Sequence, residues 1–310
     1  MERPSLRQLE CLVAVAEHLN FRKAAESCFI TQPALSLQIQ QLETLLGTRL
    51  FERDRRRVLV TPAGEALIPR ARAALAEMDA LVDAARVLRD PLAGTLRLGV
   101  IPTVAPYALP AVIPTLRRKY PRLRLLLQEE HTVRLVELTQ NGRLDLCLLA
   151  LEADLGGLET RALYFDPFVL AVPAGHSLAA RKLASETDLS DEEVLLLEDG
   201  HCLREQALSI CRRGGARELD EFRATSLNTL VRMIAGGIGV TLLPAMAVPV
   251  EVHAQDRLAL VPLERRTGRT IGFSWRASSP RTETFEALAQ LFLEHAPKSS
   301  TPVPRSRRGA

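Results

Sequence analysis

Apolar residues recur with a helical period through the first sixty positions. Leu6, Leu9, Leu12, Val13 and Ala16 share one face, and after a break at Asn20 so do Phe21, Ala24, Ala25 and Cys28. A third helix is predicted from Thr31, a good N-cap, with Pro33 in its first turn, where a missing N–H costs little. Leu35, Ile39, Leu42 and Leu46 then form one apolar stripe, and Gly47 ends the helix. The segment from Phe51 to Thr61 is short, partly β-branched and very basic, as a β-wing is. Thr61 and Pro62 open a long helix in which Leu67, Ala71, Ala74, Met78, Leu81, Ala85 and Leu88 are spaced 4-3-4-3-4-3. That spacing is an a/d heptad seam, which seldom stays unpaired in water, so residues 62–91 are read as a dimerisation helix, kinked near Pro69.

Beyond Thr95 the pattern changes to short apolar runs separated by amphipathic ones. Strands are predicted at 96–101, 123–128 and 144–151, with helices at 106–119 and 133–141 between them. The alternation continues through 168–172, 194–197, a helix after Cys202, 222–224, 227–234, 240–243 and 270–275, and a helix at 282–295 closes the fold. A β-α-β rhythm predicts an α/β domain with a parallel sheet covered by helices. The Ser-, Pro- and Arg-rich stretch 297–310 reads as a disordered tail.

Composition narrows the classes. At roughly 150 residues per domain, 310 residues suggest about two domains, and a chain 47% hydrophobic and 25% charged is an ordinary globular one. No run approaches the ~20 apolar residues of a membrane span, and no apolar block follows Met1, so a cytoplasmic protein without a membrane partner is expected. Net charge is 40 − 37 = +3, so any nucleic-acid footprint must be local. Such a footprint is visible. The tight turn at 27–30, with small Ala24 and Ala25 beside it, has helix-turn-helix character. The third helix presents Gln32, Pro33, Ser36 and Gln40 opposite its apolar stripe, where amides and hydroxyls can reach base edges. Arg53, Arg55, Arg56 and Arg57 crowd the wing, and each arginine that neutralises a phosphate releases a counterion.

The runs Phe21-Arg22-Lys23-Ala24-Ala25, Thr31-Gln32-Pro33-Ala34-Leu35-Ser36, Gln41-Leu42-Glu43, Leu50-Phe51-Glu52-Arg53 and Thr61-Pro62-Ala63-Gly64 resemble the N-terminal domain of LysR-type transcriptional regulators over residues 3–90. The resemblance implies a winged helix-turn-helix over 1–61, a linker helix over 62–91, and a periplasmic-binding-protein-like effector domain of two Rossmann-like α/β subdomains. Subdomain I would comprise 95–165 and 269–296, and subdomain II 166–268, with the chain crossing near Asp166 and Arg269. It also implies promoter DNA and RNA polymerase as partners, and a homodimer that assembles into a homotetramer.

The segment from Leu197 to Cys211 carries the candidate chemistry. Asp199 or Gly200 is expected to cap a helix whose apolar face is Leu203, Ala207 and Ile210. Cys202 then lies in its first turn, where the helix dipole favours a thiolate. His201 and Arg204 would add positive charge, and Asp199 would oppose it. Nine residues of helix separate Cys202 from Cys211 by a net half turn and a rise of ~13.5 Å, whereas a disulfide needs Cα atoms within about 7 Å. Either the two are unrelated, or bond formation unwinds the helix. Both readings stand on the residues alone.

That segment, with Phe222-Arg223-Ala224-Thr225-Ser226-Leu227, Gly239-Val240-Thr241-Leu242-Leu243-Pro244-Ala245, Ile101-Pro102-Thr103-Val104 and Arg269-Thr270-Ile271-Gly272, resembles the OxyR-type hydrogen-peroxide sensors within the LysR family. The resemblance implies a peroxide-sensing regulator of oxidative-stress genes, with Cys202 as peroxidatic thiol and Cys211 as resolving thiol. Thr103, Thr132 and His201 would line the peroxide site, with Arg204 and Arg269 as supporting cations, although Glu130-His131-Thr132-Val133 departs from the subgroup's pattern. Glutaredoxin- or thioredoxin-type reductants would reset the bond. The alternative is a LysR-type regulator that binds a small metabolite between the subdomains, with both cysteines structural. Cys11, Cys28 and Cys147 read as core residues. A zinc site is not expected, because Cys202 and Cys211 lack metal-ligand spacing and only His201 lies near them in sequence. No P-loop, G-x-S-x-G or H-E-x-x-H motif is present, so neither an enzyme nor a cofactor is expected.

Overall fold

The computed structural model describes residues 3–53, 57–87, 92–264 and 267–303. The chain falls into two compact units, the first comprising Met1–Ala85 with Gln140–Arg143. Helix α1 (Leu6–His18) begins in a capping box between Ser5 and Gln8, α2 (Phe21–Ser27) is capped by the Asn20 side chain, and α3 (Gln32–Leu46) by Thr31. Gly47 closes α3 in the left-handed conformation, φ 68°, that a glycine adopts without strain. Strands β1 (Phe51–Arg53) and β2 (Val58–Val60) pair antiparallel as the wing. Cys11, Leu12, Val15, Ala24, Leu35, Ile39, Leu42, Leu50 and Phe51 form the core of this unit, and Phe21 meets Phe51 edge-on at 6.1 Å. Leu46, expected at the end of the buried stripe, is 38% exposed, because the core ends one turn earlier at Leu42.

Helix α4 (Pro62–Val87) runs on through Pro69. Thr61 caps it by accepting from the Gly64 amide at 3.0 Å, and its hydroxyl donates to the Arg49 carbonyl. Gly64 has no room for a side chain: a Cβ there would lie 2.4 Å from the Leu50 carbonyl oxygen. The heptad seam divides in two. Leu67 and Ala71 pack on the winged core beside Ile68, whereas Ala74 is exposed and Met78 and Leu81 are 42% and 64% exposed. Burial against this chain's own core therefore explains only the first part of the seam. Leu88 and the side chain of Ala85 lie outside the described residues.

The second unit begins with β3 (Gly94–Val100), α5 (Ala105–Lys119), β4 (Leu123–Glu129), α6 (Thr132–Gln140) and β5 (Leu146–Ala150). The long strand β6 (Glu159–Pro173) leads to β7 (Glu193–Leu197), α7 (Cys202–Gly214), β8 (Arg217–Ala224), α8 (Leu227–Ala235), β9 (Thr241–Pro244), the short α9 (Val248–Glu251) and β10 (Leu258–Pro262). The chain returns through β11 (Gly268–Trp275) and α10 (Thr282–Glu294), and ends, within the described residues, at β12 (Thr301–Pro302). The main sheet has the order β10-β6-β11-β5-β3-β4, with β9 and β12 also on β6.

The expected parallel pairing holds within each half of the domain, and an antiparallel crossing joins the halves. β3 is parallel to β4 and β5, and β7 to β8, but β11 runs antiparallel to β5 and β6. The reason is connectivity: β6 carries the chain outward and β11 brings it back alongside, so the two must oppose one another. Two cores result, one around β3, β5, β11 and α10, the other around β7, α7, α8 and β9. The expected disordered tail is corrected. Thr301 and Pro302 pair with Phe165 and Tyr164, and the Val303 amide donates to the Leu163 carbonyl, so 301–303 is held along β6. Residues 304–310 lie outside the described residues.

Candidate redox and DNA-facing sites

The α3 stripe that fills the winged core turns Gln32, Pro33 and Gln40 to the exposed face, with Ser36 half-buried beside them. Arg57 of the wing is exposed. Arg55, Arg56 and the side chain of Arg53 lie outside the described residues. One feature the sequence reading passed over is Phe29. It sits in the α2–α3 turn with φ 55° and is almost fully exposed, because the turn's buried positions are taken by Ala25 and Cys28.

In the second unit, β7 ends at Leu197 and four residues bridge to α7, whose first residue is Cys202. The N-cap is His201, with no side-chain cap bond, rather than Asp199 or Gly200 as expected. Asp199 is instead drawn outward by Arg204 and Arg223, at 2.9 and 2.8 Å. Gly200 holds φ +98°, and a Cβ there would lie 2.6 Å from His131 Nδ1, so the loop needs a glycine where it passes the α6 turn. Cys202 is half-buried against the first core, whereas Cys211 is buried in the second. Burial pushes the Cys211 thiol up to about 12. Both cysteines are free, and an intact α7 separates them.

The structure brings Thr103, Thr132, His201 and Cys202 to the walls of one narrow pocket, with His131 and Gly200. Thr103 is positioned through charge. Arg269, fully buried, donates from Nε to Asp166 at 3.0 Å, from Nη1 to Thr103 Oγ1 at 2.7 Å and from Nη2 to the Thr103 carbonyl at 2.9 Å. Asp166 also accepts from the Met246 amide. Burial raises the Asp166 carboxyl above its usual range, and the Arg269 charge opposes that rise. Since a guanidinium only donates, the Thr103 oxygen acts as acceptor to Arg269, and its own proton is left for the pocket. Thr132, the first residue of α6, carries a buried Oγ1 with no hydrogen-bond partner among the described residues. Cys202 also borders an outer cavity of about 400 Å3 with Glu152, Asp154 and Glu205 on its walls.

Two expected cations are not available to the sulfur. Burial and the neighbouring His131 lower the His201 pKa from its ordinary value, which leaves a neutral ring at neutral pH. Arg204 ion-pairs with Asp199 and with Glu218 at 2.9 and 2.6 Å, and donates to the Leu197 carbonyl. It therefore ties the β7–α7 loop to β8. Asp166, which holds Arg269, was missed because only the strand pairing reveals it: Asp166 lies opposite Arg269 across β6 and β11. His131 was missed because it comes from the turn before α6, far from Cys202 in sequence. Its ring lies 4.4 Å from that of His201, and donor atoms of His131, Glu198 and His201 gather within 4.8 Å of one another.

Comparison with known proteins gives the same reading at both ends of the chain. Residues 6–65 match the bacterial regulatory helix-turn-helix protein, lysR family, and residues 89–297 match the LysR substrate binding domain. A probable hydrogen peroxide-inducible genes activator of Streptomyces viridosporus is 45% identical over 294 residues, 94% of each chain. Among solved structures, a full-length OxyR of Pseudomonas aeruginosa with a cysteine-to-aspartate substitution is 31% identical. It covers 99% of this chain and 100% of its own, with a TM-score of 0.81. A cysteine-to-serine mutant of Corynebacterium glutamicum OxyR with hydrogen peroxide bound is 36% identical, over 95% and 93% of the two chains, with a TM-score of 0.65.

Proposed function

We propose, starting from the fact that this chain belongs to the LysR family of bacterial regulatory helix-turn-helix proteins, that it is a promoter-binding regulator of oxidative-stress genes switched by hydrogen peroxide at Cys202. The observation that carries this reading is the pocket itself. A half-buried cysteine at a helix N-terminus faces two buried threonine hydroxyls, one with a proton to give and one without a partner.

The chemistry proceeds in two steps. The Cys202 thiolate attacks one peroxide oxygen, the O–O bond breaks, and the departing hydroxide takes up a proton to leave as water. Sulfur is oxidised to a sulfenic acid and peroxide is reduced. Thr103 and Thr132 hold the peroxide, with Thr103 donating to the oxygen that gathers negative charge, and Arg269 fixes Thr103 in that role. His201, neutral, closes the wall of the pocket. In the second step the Cys211 thiolate attacks the sulfenic sulfur, forming Cys202–Cys211 and expelling hydroxide, which takes up the proton given up by the Cys211 thiol and leaves as a second water. That step requires α7 to unwind between Leu203 and Cys211, since intact helix keeps the sulfurs too far apart. Unwinding also frees Cys211 from the core that suppresses its thiolate. Dithiol reductants of the glutaredoxin or thioredoxin type reverse the bond. A Thr103→Val protein should form sulfenic acid about 10–100-fold more slowly in stopped-flow oxidation. An unchanged rate would remove Thr103 from the peroxide site.

On DNA, Gln32, Pro33, Ser36 and Gln40 meet base edges while Arg53, Arg55, Arg56 and Arg57 meet phosphates. The protein works in the cytoplasm as a homodimer, and as a tetramer of two such dimers, recruiting RNA polymerase and turning over no substrate. Ala74, Met78 and Leu81 are the exposed part of the seam that a second α4 covers. Leu81→Lys buries a charge there and should weaken dimerisation by about 3 kcal/mol, roughly 100-fold, with loss of operator binding. A dimer of parental affinity in sedimentation would show that the seam lies elsewhere.

A further inference from the structure

We propose that His131, Glu198 and His201 form a binding site for a divalent cation of the zinc type beside Cys202, and that its occupation restrains the peroxide switch. The donor atoms of the three residues lie within 4.8 Å of one another. Ligands about 2.0–2.2 Å from a tetrahedral zinc stand roughly 3.4 Å apart, so small side-chain rotations close the set. Two imidazoles and one carboxylate are a donor set that zinc favours over magnesium or calcium. Among the described residues, neither imidazole and neither carboxylate oxygen of Glu198 is engaged in a hydrogen bond or ion pair. His131 and His201 already stand ring to ring at 4.4 Å, tilted by 51°. His201 is buried, and the other two are half-buried.

The position of the site gives it a consequence. His131 belongs to the turn before α6, whereas Glu198 and His201 belong to the loop that leads into α7. A cation held by all three fastens one segment to the other at the point where α7 must begin to unwind. A three-ligand site also leaves a coordination position open. Cys202, the next residue after His201, shares the pocket with His131 and His201. Zinc there both stiffens the loop and shields the sulfur, so the cation opposes oxidation without itself changing redox state. The metal-binding claim stands on the ligand geometry alone; its effect on oxidation rests on the peroxide reading above.

The test is zinc titration of the reduced full-length protein against a chromophoric competitor. The expected result is one zinc per protomer, with affinity falling at least ~100-fold in both His131→Gln and Glu198→Gln and staying within about tenfold in Cys202→Ser. Far-ultraviolet circular dichroism checks that each variant is folded, and the near-isosteric Glu198→Gln decides the matter if His131→Gln is not. Absence of zinc binding, or parental affinity in a folded ligand variant, overturns the site. Peroxide oxidation of Cys202 is then timed with and without zinc. Zinc should slow the parent at least tenfold and leave His131→Gln unchanged; equal slowing in both overturns the restraint. If peroxide oxidises Cys202 in neither protein while zinc still binds through these ligands, the peroxide reading fails and the metal site stands.

Discussion

Cys202→Ser should abolish the promoter response to a peroxide pulse while leaving operator binding intact. The hydroxyl of serine cannot be oxidised in the sulfur's place, and the change removes one atom's polarisability from a half-buried site, so folding is little affected. Cys211→Ser should behave differently. Cys202 remains oxidisable, because its pocket is built from Thr103, Thr132 and His201 and not from Cys211. The sulfenic acid then persists or passes to external thiols, and the response is weak and short-lived. Reporter transcription in the two variants, beside sulfenic-acid trapping, separates these outcomes. A Cys202→Ser protein that responds like the parent would leave a metabolite-sensing regulator as the surviving account.

The second large effect belongs to the buried ion pair beneath the pocket. Arg269 and Asp166 are both 0% exposed and 3.0 Å apart. Removing one partner strands the other charge where water cannot reach it, which costs about 3–5 kcal/mol, whereas replacing both with apolar groups is far milder. Asp166→Ala should therefore lower the melting temperature of the effector unit by about 10 °C. An Asp166→Leu, Arg269→Met double variant should recover much of that loss. It should still oxidise slowly, because Thr103 loses both of its bonds from Arg269. Recovery of stability without recovery of rate distinguishes a positioning role from a purely structural one. Equal melting of Asp166→Ala and the parent would contradict the pairing.

Much of this arrangement was legible in the residues. Ser, Thr and Asn caps, the Pro33 first turn and the 3.6-residue stripe of Leu35, Ile39 and Leu42 are local signals, and the winged unit is built from local contacts. The pocket was legible only through resemblance, because Thr103, Thr132 and His201 come from three segments far apart in sequence. What sequence could not supply was tertiary. The antiparallel return of β11 beside β6 depends on where the chain re-enters the sheet, and no periodicity encodes that. Arg204 looked like a cation for the sulfur because it stands two residues from Cys202. Two residues of helix, a rotation of about 200°, instead carry it toward β8, where Glu218 takes its charge. His201 looked like a second cation until burial and His131 were seen to discharge it. The cluster around His131 shows in sequence only as Glu198 and His201 three residues apart, since His131 joins them across the fold.

The central claim is that peroxide joins Cys202 to Cys211 through an opened α7. Non-reducing peptide mapping by mass spectrometry, after brief peroxide exposure of the reduced full-length protein, tests it most directly. The predicted result is a single new cross-link between the peptides carrying Cys202 and Cys211, lost on adding a dithiol, with Cys11, Cys28 and Cys147 recovered as free thiols. Recovery of Cys202 and Cys211 unlinked from a protein that nonetheless switches its promoter would contradict it.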